Sequence, residues 1–313
     1  MMRLEHIRKP PPNVGEYIAE IGGGLAALYG EEASRQYRQT ARGVLRTTLA
    51  HAAVDGMAVC DGKDAAGLLF AVARENMGQI SFIHVLTRYA GMGVEDRLVQ
   101  EGVRVFRAGA VDGIVAEYVP FCPLELDDVY KTLGFERVER LLMTAPLSHG
   151  ALGVTDSPVS RPYDQAQWGE VAGTIVEAYR DHPGRRLHIE VRGPSEAMGF
   201  LESVASGGYG TVRGGYGRAV WLDGRCAGII VGCEVAPGMG FILQVAVHPA
   251  SRNLGIGRQL VCELADEFRK AGLTRVALGV TETNPARRLY KGLGFAPLRS
   301  VNAYSWWHVL EAA

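Results

Sequence analysis

The sequence predicts an α/β chain of the α+β type, built from two copies of one domain of ordinary size. Two observations carry this. A strand-like run, a glycine loop and a helix-like run follow one another twice, with loops at Arg88-Tyr89-Ala90-Gly91-Met92-Gly93 and Arg252-Asn253-Leu254-Gly255-Ile256-Gly257. Downstream of each lies a second matched pair, Val129-Tyr130-Lys131-Thr132-Leu133-Gly134-Phe135 and Leu289-Tyr290-Lys291-Gly292-Leu293-Gly294-Phe295. The loop arginines, 88 and 252, stand 164 positions apart, and the Leu-Gly-Phe leucines, 133 and 293, stand 160 apart. Two matches at nearly one offset mark an internal duplication. The four-residue difference falls where the first copy inserts Val119-Pro120-Phe121-Cys122-Pro123.

The elements follow from pattern. In the first copy, Val14 to Leu28 and Ala33 to Ala53 carry apolar residues at helical spacing. Met57 to Cys60 and Leu68 to Arg74 read as strands about an Asp61-Gly62 turn. Ile80 to Leu86 is the strand entering the first loop, and Val94 to Arg107 the helix leaving it. Ile114 to Tyr118 is a strand and Leu126 to Leu133 a helix. Residues 147–158 are rich in Pro, Ser, Gly and Asp without periodicity, so the linker belongs there, between domains at 1–146 and 159–313. In the second copy Gln165 to Tyr179 and Ser195 to Ala205 read as helices, and Ala219 to Leu222 and Cys226 to Val235 as a hairpin about Asp223-Gly224. Phe241 to Val247 enters the second loop and Arg258 to Lys270 leaves it; Val276 to Val280 and Ala303 to Leu310 are later strands.

Composition sets limits. A chain of 313 residues, 47% hydrophobic, is long enough for two cores. The net charge of -1 removes an electrostatic case for nucleic acid or acidic membranes as partners. Five scattered cysteines, Cys60, Cys122, Cys226, Cys233 and Cys262, have no zinc-knuckle spacing; no metal site is expected, and reduced thiols in a cytoplasmic protein are the default. Met1 to Pro12 lacks a hydrophobic signal core, and no run is long and apolar enough to span a membrane.

A strand, a glycine loop and a helix N-terminus together suit a pyrophosphate. Successive backbone N–H groups point into the loop, and the helix end adds partial positive charge. Gly255 and Gly257 let the backbone approach without a side chain in the way. At these residues, and in the tyrosine helix ending Leu293-Gly294-Phe295, the chain resembles the GNAT superfamily of acyl-CoA N-acyltransferases, whose loop reads Gln/Arg-x-x-Gly-x-Gly/Ala. Arg161-Pro162-Tyr163-Asp164 opens the second half as such domains often open, and the resemblance covers about residues 158–313. It implies a mixed, mostly antiparallel sheet with a parallel central pair and helices on both faces, and two such domains in tandem.

The resemblance also implies roles. Acetyl-CoA is the expected cofactor, held by Val245, Ala246 and Val247 of the strand, by the loop residues Arg252, Asn253, Leu254, Gly255, Ile256 and Gly257, and by Arg258 beyond them. Backbone N–H groups of Val245 and Val247 match those that hold the thioester carbonyl. Tyr290 is the implied general acid, able with a pKa near ~10 to protonate an adjacent thiolate whose conjugate acid is near ~8.5; the competing reading is that it only packs its helix. Two departures stand out. Many members carry a carboxylate eight residues before the loop arginine, where this chain has Gln244. His182 and Glu282 are then the candidates for the base, each with the competing reading of a solvated or structural group. The family's asparagine position is Thr283 here, and Asn284, one residue later, is the candidate to cap the helix and reach CoA.

The copies are unequal. Arg258 follows the second loop, whereas Glu95 and Asp96 occupy the first helical turn after the first loop, where they repel phosphate. Catalysis is therefore expected in the second copy, on a primary amine of a small molecule or peptide. Alternatives are a non-catalytic acyl-CoA-binding or regulatory module, and a mycothiol-synthase-like tandem acetyltransferase. Arg185 and Arg186 offer an anion grip or a solvated helix end. Residues 207–217, with six glycines, offer a mobile lid or a solvent loop. Two copies in one chain suit a monomer with pseudo-dimeric domains, with a homodimer as the other possibility.

Overall fold

The structure, a computed structural model, describes residues 2–74, 76–117, 124, 126–147, 160–182 and 184–308. The expected linker beyond Leu147 and the segment 119–123, with both its prolines and Cys122, lie outside the described residues. The backbone forms two compact units, Met1–Glu139 with Val301–Ala313, and Arg140–Ser300.

In the first unit, β1 (Arg3–Ile7), α1 (Val14–Tyr29) and α2 (Glu31–Ala50) precede a meander of β2 (Val54–Asp61), β3 (Asp64–Arg74) and β4 (Met77–Val85). Then come α3 (Val94–Ala108), β5 (Gly113–Ala116), α4 (Asp127–Thr132) and the first residues of β6 (Glu136–Pro146). β4 and β5 run parallel from Met77↔Gly113 to Ile80↔Ala116, and the strand residues 304–307 lie antiparallel to β5. α1 and α2 bury Tyr17, Ile21 and Leu49 against one sheet face. α3 buries Leu98, Val99 and Phe106 against the other.

The second unit repeats this plan. Its elements are β7 (Arg161–Pro162), α5 (Trp168–Ala178), α6 (Pro194–Ala205), β8 (Gly217–Leu222), β9 (Arg225–Ala236), β10 (Met239–Val247), α7 (Ile256–Lys270), β11 (Arg275–Thr281), α8 (Ala286–Gly292) and the start of β12 (Ala296–Trp307). β8, β9 and β10 are antiparallel, β10 and β11 parallel, and residues 140–146 of β6 antiparallel to β11. α5 and α6 cover one face and α7 and α8 the other. The expected mixed, mostly antiparallel sheet with a parallel central pair is present in each unit.

Particular residues show the duplication in three dimensions. Gly93 and Gly255 both take left-handed conformations, φ 70° and 77°, as they start α3 and α7. Gly78 lies under the Phe106 ring as Gly240 lies under Phe268; a Cβ at either would stand 2.5 Å from ring carbon. β4 and β10 each skip one residue in their pairing, Ser81 and Leu243.

Several elements depart from the sequence reading, among them β7, which is not expected, and β12, which starts at Ala296 rather than Ala303. β1 was not expected, nor was β6. Residues 140–146 of β6, Arg-Leu-Leu-Met-Thr-Ala-Pro, are buried as far as Ala145 and so do not alternate. They pair with β11 in the second unit rather than ending the first copy, and residues 301–308 fall in the first unit rather than closing the second. α7 begins at Ile256, not Arg258, which places Gly257 and Arg258 inside its first turn.

Candidate active site

Strands β10 and β11 stay paired only from Met239↔Arg275 to Ile242↔Leu278. Leu243 is then left out of the register with β9. A residue inserted in one strand bends it and re-aims the residues beyond it, a device common beside active sites. Past this point, Gln244 to Val247 remain on β9 while no pairing to β11 continues. A cavity of about 650 Å³ opens here, entirely within the second unit. Its walls are the end of β10, residues 278–281 of β11, the loop before α7, the start of α8, and side chains from α5 and the turns after it.

Most of the expected cofactor residues meet here. Val245, Ala246, Val247, Arg252, Asn253, Gly255, Ile256, Gly257, Arg258, Asn284 and the acid candidate Tyr290 all line the cavity; Leu254, 53% exposed, does not. The loop conformation explains its glycine. Asn253 and Gly255 have φ 65° and 77°, a region that favours glycine and tolerates asparagine. Among the described residues no side chain caps α7, and the first-turn N–H groups of a helix have no intrahelical partner. Arg252 donates to the carbonyl of Ala178 at the end of α5 (2.9 Å), which ties the loop to that helix. Asn284 accepts from the Ala286 N–H at 2.8 Å, but it stands one residue before the N-cap, Pro285, and so turns the chain into α8 rather than capping it.

In the first unit the loop is filled differently. With Gly93 at the place of Gly255, it is Ala90, not Arg88, that corresponds to Arg252, so the two arginines aligned by sequence do not coincide. Arg88 is ion-paired with Glu16 of α1, and the Thr87 N–H donates to Glu20. Glu95, in the first turn of α3, is buried, with one carboxylate oxygen that has no hydrogen-bond partner among the described residues. Tyr130 is fully buried and stacks on Tyr304 with centroids 4.0 Å apart. Tyr290, its counterpart, faces the cavity instead, and burial pushes its hydroxyl up to about 12.

The base candidates fare differently. Glu282 is half-exposed, pairs with Arg287 at 3.4 Å and lies outside the cavity. His182 does line it, but the ring is occupied: Nδ1 accepts the Gly184 N–H at 3.0 Å, and Asn284 bonds the side chain. Burial, then the neighbouring His188, Arg252 and Arg140, lower its pKa to about 4, which makes it a poor base near neutral pH. Stability then depends on pH. The unfolded imidazole takes a proton below ~6.5 while the folded one stays neutral down to about 4. The unfolded state binds more protons across this window, so stability falls as pH drops through it, by on the order of 2–3 kcal/mol. Urea midpoints measured from about pH 7 to about 4.5 are expected to fall less steeply in His182→Gln than in the unaltered chain; equal slopes would refute the assignment.

The glycine-rich segment 207–217 is no lid. Thr211 and Glu234 exchange backbone bonds of 2.9 and 2.8 Å, and no residue of the segment lines the cavity. Arg185 and Arg186 are exposed and lie outside it. Sequence reasoning passed over a polar cluster at the inner end. Tyr179 donates to Gln244 Oε1 (2.8 Å), Gln244 Nε2 donates to Glu190 (3.2 Å), and Glu190 accepts from His188 Nδ1 (3.0 Å). Arg140, from β6, reaches His188 Nε2 at 3.2 Å. The polar Gln244 within the apolar run of β10 was the one signal that pointed here.

The family profile of the Acetyltransferase (GNAT) family matches residues 210–295, which span β8 to the end of α8. The matched residues lie wholly within the second unit. An L-2,4-diaminobutyric acid acetyltransferase of Nocardia farcinica is 34% identical over 67 residues, 21% of this chain. The match spans about a third (35%) of that relative's length. A GCN5-related N-acetyltransferase of Sphaerobacter thermophilus shares the fold across 97% of this chain and 95% of its own, with TM-score 0.65 and 17% identity. A tandem GNAT protein from the clavulanic acid biosynthesis pathway covers 98% of both chains, with TM-score 0.62 and 16% identity. Both likenesses are of the fold and run along nearly the whole of this chain.

Proposed function

We propose that the second unit transfers an acetyl group from acetyl-CoA to a primary amine of a small molecule or peptide. The observation that carries this is the meeting, in one cavity, of a bulged and splayed β10, an uncapped glycine loop and Tyr290. The residues present fit the CoA thioester. The first-turn N–H groups of α7 and the Arg258 guanidinium suit its pyrophosphate. Bound there, the thioester supplies an activated acyl carbon. The backbone of Val245 and Val247 stabilises the oxyanion that forms when the amine attacks. The Val245 N–H bonds the Gln244 side-chain oxygen at 3.2 Å, an acceptor that a thioester carbonyl replaces. Tyr290, kept protonated by burial, gives its proton to the departing thiolate.

The first unit, with Glu95 at the matching helix start and Arg88 already paired, is read as a structural half. No helix among the described residues is long and apolar enough to cross a membrane. Gln244 in place of a carboxylate favours one competing reading, an acyl-CoA-responsive binding module. Tyr290→Phe separates the two. An enzyme is expected to lose kcat by about 100-fold while calorimetry shows unchanged acetyl-CoA affinity. Unchanged turnover would remove Tyr290 from the chemistry, and absence of turnover in the unaltered chain would favour the binding module.

A further inference from the structure

We infer that His188 takes the proton from the acceptor amine and that Glu190 positions its ring; this rests on the acyl-transfer reading above. The carboxylate missing from β10 is supplied from another element. Glu190 follows the turn after α5 and its Oε1 stands 3.2 Å from Gln244 Nε2, beside the strand position where a carboxylate is absent. The same oxygen accepts from His188 Nδ1 at 3.0 Å. Glu190 does not line the cavity, whereas His188 does. Their side chains are 18% and 16% exposed, so the pair is largely shielded from water.

This arrangement fixes the tautomer. With Nδ1–H donated to Glu190, the lone pair of the neutral ring lies on Nε2, which accepts from Arg140 Nη1 at 3.2 Å. An acceptor ammonium entering the cavity replaces the arginine as donor to that lone pair. A carboxylate behind Nδ1 holds the ring and stabilises the imidazolium that forms, the division of labour used by serine hydrolases. The other titratable groups facing the cavity are less suited. His182 has its Nδ1 bonded to Gly184. Tyr179 donates to Gln244 and packs its ring 5.3 Å from His188. Asp181 lines the cavity but is exposed to water and has no partner among the described residues to hold it toward the amine.

The protons balance. The ammonium gives one proton to His188 Nε2, and the neutral amine that results attacks the thioester carbon with its lone pair, forming the C–N bond. The tetrahedral adduct collapses, the C–S bond breaks, and Tyr290 protonates the sulfur. The amide nitrogen returns its second proton to the Tyr290 oxygen, and His188 releases the first to solvent. The net products are an N-acetyl amide, CoA thiol and one proton.

The test uses the full chain, acetyl-CoA, and L-2,4-diaminobutyrate, L-lysine and spermidine as acceptor probes, with thiol release followed from about pH 6 to about pH 10. His188→Gln is expected to lose kcat by about 100-fold near pH 7 with acetyl-CoA affinity unchanged. The gap narrows toward pH 10, where an amine of pKa near ~10.4 sheds its proton unaided. Glu190→Gln is expected to move the acid limb of the kcat profile to lower pH, a readout that a purely structural residue would not change. Imidazole nitrogen NMR is expected to show His188 as the Nδ1–H tautomer in the unaltered chain. Undiminished turnover in His188→Gln, a deficit equal at every pH, or the opposite tautomer would each overturn the proposal. Acetyl-CoA binding by the unaltered chain without transfer to any probe would instead remove the acyl-transfer reading, and the role of His188 with it.

Discussion

Gly257→Glu is expected to abolish detectable acetyl-CoA binding, a loss of at least about 1,000-fold, or ~4 kcal/mol. Gly257 is the second residue of α7, and its N–H is one of the groups the glycine loop leaves without an intrahelical partner. Hydrogen bonds to a charged phosphate are worth about 1.5–3 kcal/mol each, so displacing two of them accounts for the loss before any charge repulsion is counted. The fold is expected to tolerate the change. A Cβ on Gly257 would meet Val247 and Leu289 at 3.6 and 3.7 Å, ordinary contact distances. The first unit already carries the substitution, since Glu95 holds the matching second position of α3. A carboxylate at a helix start also interacts favourably with the dipole, by about 0.3–1 kcal/mol, so the melting temperature should not fall. Calorimetric titration with acetyl-CoA beside a thermal melt checks both halves. Binding that survives in a stably folded variant would place the acyl-CoA site outside the α7 loop.

The loop was legible in the sequence because its backbone demands particular residues. A left-handed helix start wants glycine at 93 and 255, and the close approach of ring to strand wants glycine at 78 and 240. Such requirements recur at fixed spacing when a domain is duplicated, so the repeat and the loop announced each other. β6 was not legible for the opposite reason. Its half from Arg140 to Ala145 is buried on both faces, so it has no regular apolar/polar alternation to mark a half-buried strand. The end proposed to hold the cofactor is one continuous stretch from β10 into α7, and could be read as such. The end proposed for the acceptor is assembled from Arg140, Tyr179, His188, Glu190 and Gln244, which sit on four separate segments and have no local spacing to betray them. His182, the histidine that sequence context favoured, turned out to be committed to Gly184, while His188, six residues on, carries the carboxylate partner.

Phe268→Ala is expected to destabilise the second unit by about 3–5 kcal/mol. The ring is fully buried, meets Tyr216 edge-on with centroids 4.7 Å apart, and covers both Gly232 and Gly240. The two glycines admit the ring because they have no Cβ, and neither can fill the space it leaves. The cavity therefore persists, and the cost should lie toward the upper end of the range. For a unit of this size that is a fall in melting temperature of roughly 10 °C. The functional consequence follows from geometry. Phe268 anchors α7 to β9 and β10, and α7 bears at its other end the N–H groups proposed to hold CoA. A ligand that binds only the folded state adds stability by mass action, about 2.7 kcal/mol at 100-fold excess over Kd. Acetyl-CoA is therefore expected to recover a large part of the melting temperature lost in Phe268→Ala. Melts with and without acetyl-CoA decide the point: a large drop with no recovery would separate the packing of α7 from the binding assigned to its N-terminus.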